Sequence, residues 1–296
     1  LLLLVLLICS LATRGYTNMG FIAGANVGAG IDPMLGNYQL QGGGWQPTDD
    51  SGLYLWIDAH RGDSVIGSGN GAIDGGTVTS WYNLQAGVSL TKMQQISSQA
   101  LPTFKVNGIN GLPAVLFDGS TQVLSSNSAT GLTSMSGLTI CLVLRVLSTA
   151  SAGVLAIVYT GTTPGWTARL WAGITAAGLF DPGGRRLDSD AYAGQSSGSI
   201  VVGTPYVYTL CLDYSNARMR TYLNGSPQQD IAFQTAGLSD SAESWNVQFG
   251  SVYAPTNILS YQCNMLLGEA ILLKRAPTIT EFTRIHGYLR NKWRIW

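Results

Sequence analysis

Carboxylates are scarce in this chain and poorly spaced for acid–base chemistry. Hydrolysis of a glycosidic bond needs two of them about 5–10 Å apart, which on one strand means acidic residues two or four positions apart. None of the three glutamates, Glu243, Glu269 and Glu281, has an acidic neighbour at those spacings. Glu281 reads as a helix-capping residue, and Glu269 as a partner for a backbone group or an arginine near a sheet edge. Asp188 and Asp190 do alternate, but Arg185-Arg186-Leu187-Asp188-Ser189-Asp190 is basic and loop-like, and a solvated loop is expected there. Nucleophilic catalysis fares no better. Gly194-Gln195-Ser196-Ser197-Gly198 does not lie between a strand and a helix, as a nucleophile elbow must. His60 and His286 are the only histidines, and neither lies near a cysteine pair, so no zinc spacing exists. We expect His60 to make a structural hydrogen bond at a strand end and His286 to be a surface or edge residue. The glycines of Gly24-Ala25-Asn26-Val27-Gly28-Ala29-Gly30 are not followed by Gly-Lys-Ser/Thr, which excludes a phosphate loop. No enzyme is expected.

Sugar binding asks for different chemistry: aromatic faces beside amides and hydroxyls. Eight tryptophans and 13 tyrosines supply the faces. Trp166, Trp171 and Tyr192 lie in a Gly- and Ser-rich segment that reads as exposed loop, and they are the candidate ligand-binding residues. Only 11% of residues are charged, against a usual ~25%, and 16 basic residues balance 16 acidic ones. No net field draws such a protein to nucleic acid. A surface this poor in charge suits an extracellular or assembled protein. Cys141 and Cys211 sit in apolar runs and read as buried thiols; with Cys9 and Cys263, pairing stays open if the protein is secreted.

The elements that must position these residues are almost all strands. Leu53-Tyr54-Leu55-Trp56-Ile57-Asp58 is aromatic-rich and strand-like, and Val78-Thr79-Ser80-Trp81-Tyr82-Asn83 is a second candidate. Turns are expected at Asn107-Gly108, Asn110-Gly111, Asp118-Gly119 and Asn224-Gly225, where these residues tolerate positive φ. The apolar runs at 138–146 and 153–159 are too short for most helices and suit strands buried on both faces. One helix is predicted. Thr278-Ile279-Thr280-Glu281 forms a capping box, after which Phe282, Ile285, Leu289 and Trp293 fall on one face.

In their order, Trp56 with Asp58, Trp81-Tyr82-Asn83, the stretch from Leu112 to Ser120, Tyr222-Leu223-Asn224-Gly225, and Gly268-Glu269 through Trp293 resemble the concanavalin A-like lectin/glucanase superfamily. The likeness is to its laminin-G-like form, found in phage structural proteins and bacterial surface proteins. The resemblance implies an all-β, antiparallel two-sheet jelly-roll sandwich over residues 51–296 with one C-terminal helix. Laminin-G-like domains often bind calcium through aspartate and backbone oxygens, so the resemblance makes Asp58, Asp63 and Asp118 candidate ligands for a structural Ca2+. No other cofactor is expected, and no Asp-x-Asp cluster supports even this one.

Residues 1–50 differ in kind. Leu1, Leu2, Leu3, Leu4, Val5, Leu6, Leu7 and Ile8 form an apolar run of about 12 residues with their neighbours, short of the ~20 that span a bilayer. A Gly-rich arm follows. We read the run as an assembly anchor, buried by other subunits. The functional expectation is a non-catalytic phage virion protein on the particle surface, as capsid decoration, head fibre or tail-associated module. Its partners would be other virion subunits, further copies of itself and a host-surface glycan. The alternatives are a secreted or lipid-anchored bacterial surface lectin, and a glycan hydrolase.

Overall fold

A computed structural model describes residues 44–67, 71–96, 99–126, 131–160, 168–240, 245–253 and 259–296. The anchor run, Cys9 and Trp166 lie outside the described residues. Strands are numbered in chain order. Sheet A runs β16 (Ser226–Ala232), β15 (Arg218–Leu223), β14 (Pro205–Asp213), β8 (Leu138–Val146), β20 (Asn264–Leu273), β6 (Leu112–Asp118) and β5 (Thr103–Ile109). Its eighth strand, β1 (Leu53–Asp58), takes the half of the β20 edge that β6 leaves free. Sheet B runs β12 (Ala193–Gly194), β11 (Leu179–Gly184), β10 (Ala168–Ile174), β9 (Gly153–Thr160) and β17 (Trp245–Phe249). It continues through β7 (Leu124–Ser125), β4 (Lys92–Gln95), β3 (Ser80–Tyr82) and β2 (Val65–Ile66), with β13 (Ser197–Ser199) pairing to β11. A separate hairpin joins β18 (Val252–Tyr253) to β19 (Leu259–Ser260). The pairings of these strands are antiparallel. The helix α1 (Ile279–Trp293) follows β20. The fold is the expected all-β two-sheet sandwich with one C-terminal helix.

Alternation along the strands explains the layers. On β8, Leu138, Ile140, Leu142, Leu144 and Val146 enter the core between the sheets. Cys141 and Val143 point the other way, into a second cluster beneath α1. Both faces of β8 are therefore dry, which is why its sequence reads as an unbroken apolar run. Phe282, Ile285, Leu289 and Trp293 are all buried, as the helical spacing predicts. Thr278 caps α1 reciprocally with Glu281, and Arg275 bridges Glu281 to Asp50. The Arg275 hydrogen bonds hold the Glu281 carboxyl down to about 2.

Asn110-Gly111 and Asn224-Gly225 are tight turns, with both residues of each pair at positive φ. Asn107-Gly108 is not a turn. It lies inside β5 at an irregularity between Lys105 and Ile109, and a Cβ on Gly108 would come within 2.4 Å of the Ala114 Cβ. The glycine there answers a close approach of strands, not a reversal. Cys141, Cys211 and Cys263 are buried free thiols, and burial pushes each up to about 12.

Candidate functional site

Polar side chains gather on the outer faces of both sheets, and the two gatherings differ. Under α1, β1 and β20 place Asp58 opposite Glu269. Glu269 is fully buried and accepts from Trp56 Nε1 (2.7 Å), Tyr288 Oη (2.9 Å), Trp293 Nε1 (2.6 Å) and Lys292 Nζ (2.8 Å). Lys292 also donates to Asp58. Gly268 makes this possible, because a Cβ there would lie 2.4 Å from the Trp293 ring. The expectation that Glu269 serves a backbone group or an arginine at a sheet edge is thus corrected: it sits beside the centre of sheet A and gathers four side-chain donors. Asp58 is 1% exposed. Burial pushes its carboxyl up to about 6, with Lys292 opposing the rise. Burial pulls on Lys292 too, but Glu269 and Asp58 outweigh it and raise the ammonium.

Two carboxylates on one ammonium are the pair that a glycosidase reading seeks. Here they are enclosed by two indoles, a phenol and the helix, and a sugar has no route to them. His286, expected at the surface, is also buried. Its Nε2 lies 3.1 Å from Thr209 Oγ1 and its ring packs on Tyr222 and Phe282. Burial lowers it to about 4. His60 donates its backbone N–H to Asp58 (3.0 Å).

The calcium candidates do not converge. Asp58 is held by Lys292, and Asp63 is exposed in the turn after β1. Asp118 accepts from Ser120 N in its own turn. Asp58 faces Glu269 and Asp118 faces Asn264 on the same strand, a separation of about 17 Å at strand rise. One calcium with ligands at about 2.3–2.6 Å cannot join them. Among the described residues no group of three or more His, Cys, Asp and Glu could hold a metal ion.

The outer face of sheet B is the alternative. In register, Ser80, Gln94, Ser125, Gln248, Ile157, Trp171, Gly183 and Gly194 form one row across the strands. The row starts as hydroxyls and amides and runs through an indole to two glycines. Trp171, expected in a loop, is on β10 and only 6% exposed. Its ring overlies Gly173, where a Cβ would come within 2.3 Å of Nε1. Tyr261, 38% exposed, meets the indole edge-on at 5.1 Å. Tyr192 is half-buried over Gly183, where a Cβ would come within 2.1 Å of its hydroxyl. The structure thus brings Trp171 and Tyr192 onto one face, in a cluster with Tyr159.

Polar groups border these rings. Asp181, between them and β13, accepts from Ser196 Oγ (2.9 Å). Ser196 is the serine of the Gly-x-Ser-x-Gly stretch; it lies between two short strands with a carboxylate for partner. Gln248 ties the β18–β19 hairpin to the face, accepting from Tyr253 N and donating to Tyr159 Oη, both at 2.8 Å. Tyr261 and Asp181 escaped sequence reading because neither carries a motif. The glycines at 173 and 183, which clear space for rings, are the signal that could have found the face.

No family model matches the chain, and no curated protein matches it. Solved structures similar to it include the CBM40 of the Ruminococcus gnavus IT-sialidase bound to alpha2,3 sialyllactose, at 17% identity and TM-score 0.44, covering 52% of this chain and 83% of that one. A native heptameric SAP-like pentraxin from Limulus polyphemus shows 17% identity and TM-score 0.47, covering 57% and 79%. Trypanosoma rangeli sialidase shows 12% and 0.48, covering 83% of this chain but 34% of its own. At such identities and scores these likenesses assign neither family nor ligand.

Proposed function

We propose that the chain is a non-catalytic, laminin-G-like glycan-binding sandwich carried on a phage virion, and that it binds sugar on the outer face of sheet B. One observation carries the binding: exposed Tyr261 and half-buried Tyr192 flank the Trp171 indole beside Asp181 and Ser196. A sugar offers an apolar face of C–H groups and a rim of hydroxyls. Flat rings with neighbouring acceptors and donors match both. The non-catalytic reading is supported by the enclosure of Asp58 and Glu269: Lys292 meets both charges, indole and phenol donors meet Glu269, and the His60 backbone N–H meets Asp58.

A glycan array probed with the whole chain tests this reading. Bound glycans should be lost from Tyr261→Ala and retained by Glu269→Gln, without release of reducing ends in either case. Reducing ends released by the unaltered chain and abolished in Glu269→Gln would replace the reading with a hydrolase. The virion half rests on the low charge and on the apolar run at residues 1–8. Deleting residues 1–12 should leave the sandwich folded and abolish its incorporation into particles; full incorporation without them would favour the secreted or lipid-anchored lectin.

A further inference from the structure

A cleft of about 340 Å3 opens on the outer face of sheet A, the face that also carries α1. Arg145 on β8, Leu266 on β20 and Leu116 on β6 stand side by side in register across it. Leu147 adds to the apolar floor, and Lys105 on β5 forms the far wall with exposed Val106. Arg145 and Lys105 are three strands apart and offset by two residues along them, about 16 Å at the backbone, and the leucines lie between them.

Not every cation of this chain has a carboxylate partner. Arg169, Arg185, Arg218, Arg220 and Arg275 each bind a carboxylate. Among the described residues Arg145 and Lys105 have no such partner, and Arg145 Nε is buried without an acceptor. Asp74 is the one carboxylate lining the cleft, and it accepts from Val106 N at 3.0 Å rather than pairing with either cation. A buried Nε with no acceptor has lost water without gaining a bond. An oxyanion would supply what it lacks, in the planar two-bond geometry that guanidinium favours.

We propose that this cleft binds a small oxyanion-bearing ligand of about one sugar ring, its carboxylate or phosphate on Arg145 with Lys105 opposite and its apolar face on Leu116 and Leu266. This site is separate from the glycan face of sheet B and stands whether or not that face binds sugar.

Calorimetry on the whole chain with glucuronate, glucose 6-phosphate and glucose tests it. At least one anion should bind with saturable heat, and glucose should not. Arg145→Met should weaken binding at least tenfold and Lys105→Met at least threefold. Raising salt from about 20 to 200 mM should weaken it further, because an open cleft is screened. Glucuronate alone would identify a carboxylate ligand and glucose 6-phosphate alone a phosphate ligand; either supports the site. If Arg145→Met does not fold, the half-buried Lys105→Met decides. The proposal is overturned if neither anion binds at millimolar concentration, if glucose binds as well, if Lys105→Met binds unchanged, or if Tyr261→Ala abolishes the anion's binding.

Discussion

The polar groups under α1 and those on the outer face of sheet B are spent in opposite ways. Under α1, Glu269 collects donors from two tryptophans, a tyrosine and a lysine, so its polar capacity is used up inside the protein. On sheet B, Tyr261 stays exposed, Tyr192 and Asp181 stay half-buried, and Asn246 keeps a buried acceptor, Oδ1, with no hydrogen-bond partner. A buried network in which every member is matched fixes one arrangement of helix on sheet. A face with capacity left over is where a ligand adds something. A carboxylate pair in a sandwich is therefore not a catalytic signal by itself; what surrounds it decides.

Substitutions under the helix should break that contrast most severely. Lys292→Met leaves Asp58 and Glu269 buried without their cation and should cost about 3–5 kcal/mol, read as the shift in urea midpoint. A change below about 1 kcal/mol would show that water reaches the pair, and the enclosure argument would fail. His286 comes next. Folding lowers it from its ordinary 6.5 to about 4, so its neutral form is the one the fold accepts. Its contribution is complete above pH 6.5 and is lost as pH falls toward 4, reaching about 2–3 kcal/mol. Asp58 works in the other direction. Its folded value near 6 exceeds its ordinary 3.8, so protonation between 6 and 4 favours the folded state. Chemical denaturation across pH 7 to 4 should show a small net loss in the native protein and no loss, or a gain, in His286→Leu. Equal slopes would remove His286 as the acid-sensitive group.

Much of the helix-covered face was legible in sequence, and little of the chemistry on either face was. Phe282, Ile285, Leu289 and Trp293 announced the buried stripe because a helix repeats every three to four residues. The Asn110-Gly111 and Asn224-Gly225 turns announced themselves by needing positive φ. Glu269 could not be placed, since its donors Trp56 and Trp293 lie 213 and 24 residues away in the chain and meet only when β1 pairs with β20. His286 sits between the apolar stripe and the polar side of the helix, and its burial depends on β14 offering Thr209. Trp171 and Tyr192 were named as sugar ligands from composition. The structure brings them together through a strand pairing that composition does not contain. Asn107-Gly108 misled because a glycine that clears a neighbouring strand reads like one that turns the chain.

Gly268→Ala sharpens the comparison at intermediate cost. The added Cβ would press on the Trp293 ring at 2.4 Å, and overpacking of this kind costs about 1–3 kcal/mol. The Trp293 fluorescence environment should change with it. Unchanged stability would mean the indole can slide, and that its bond to Glu269 is not a fixed part of the helix seat.

Tyr261→Ala is the smallest stability change expected and the most informative. Tyr261 is 38% exposed and meets Trp171 edge-on, so its removal should cost under about 1 kcal/mol. Glycan affinity should nevertheless fall about tenfold or more, because stacking area on a binding face is lost outright while the fold keeps its core. Under α1 the relation is inverted: Lys292→Met should cost stability and leave the glycan affinity of the remaining folded fraction unchanged. Thermal unfolding and glycan titration on the same two variants separate the faces. If Tyr261→Ala loses stability but not binding, the aromatic patch on sheet B is packing, and the glycan reading must move elsewhere on the molecule.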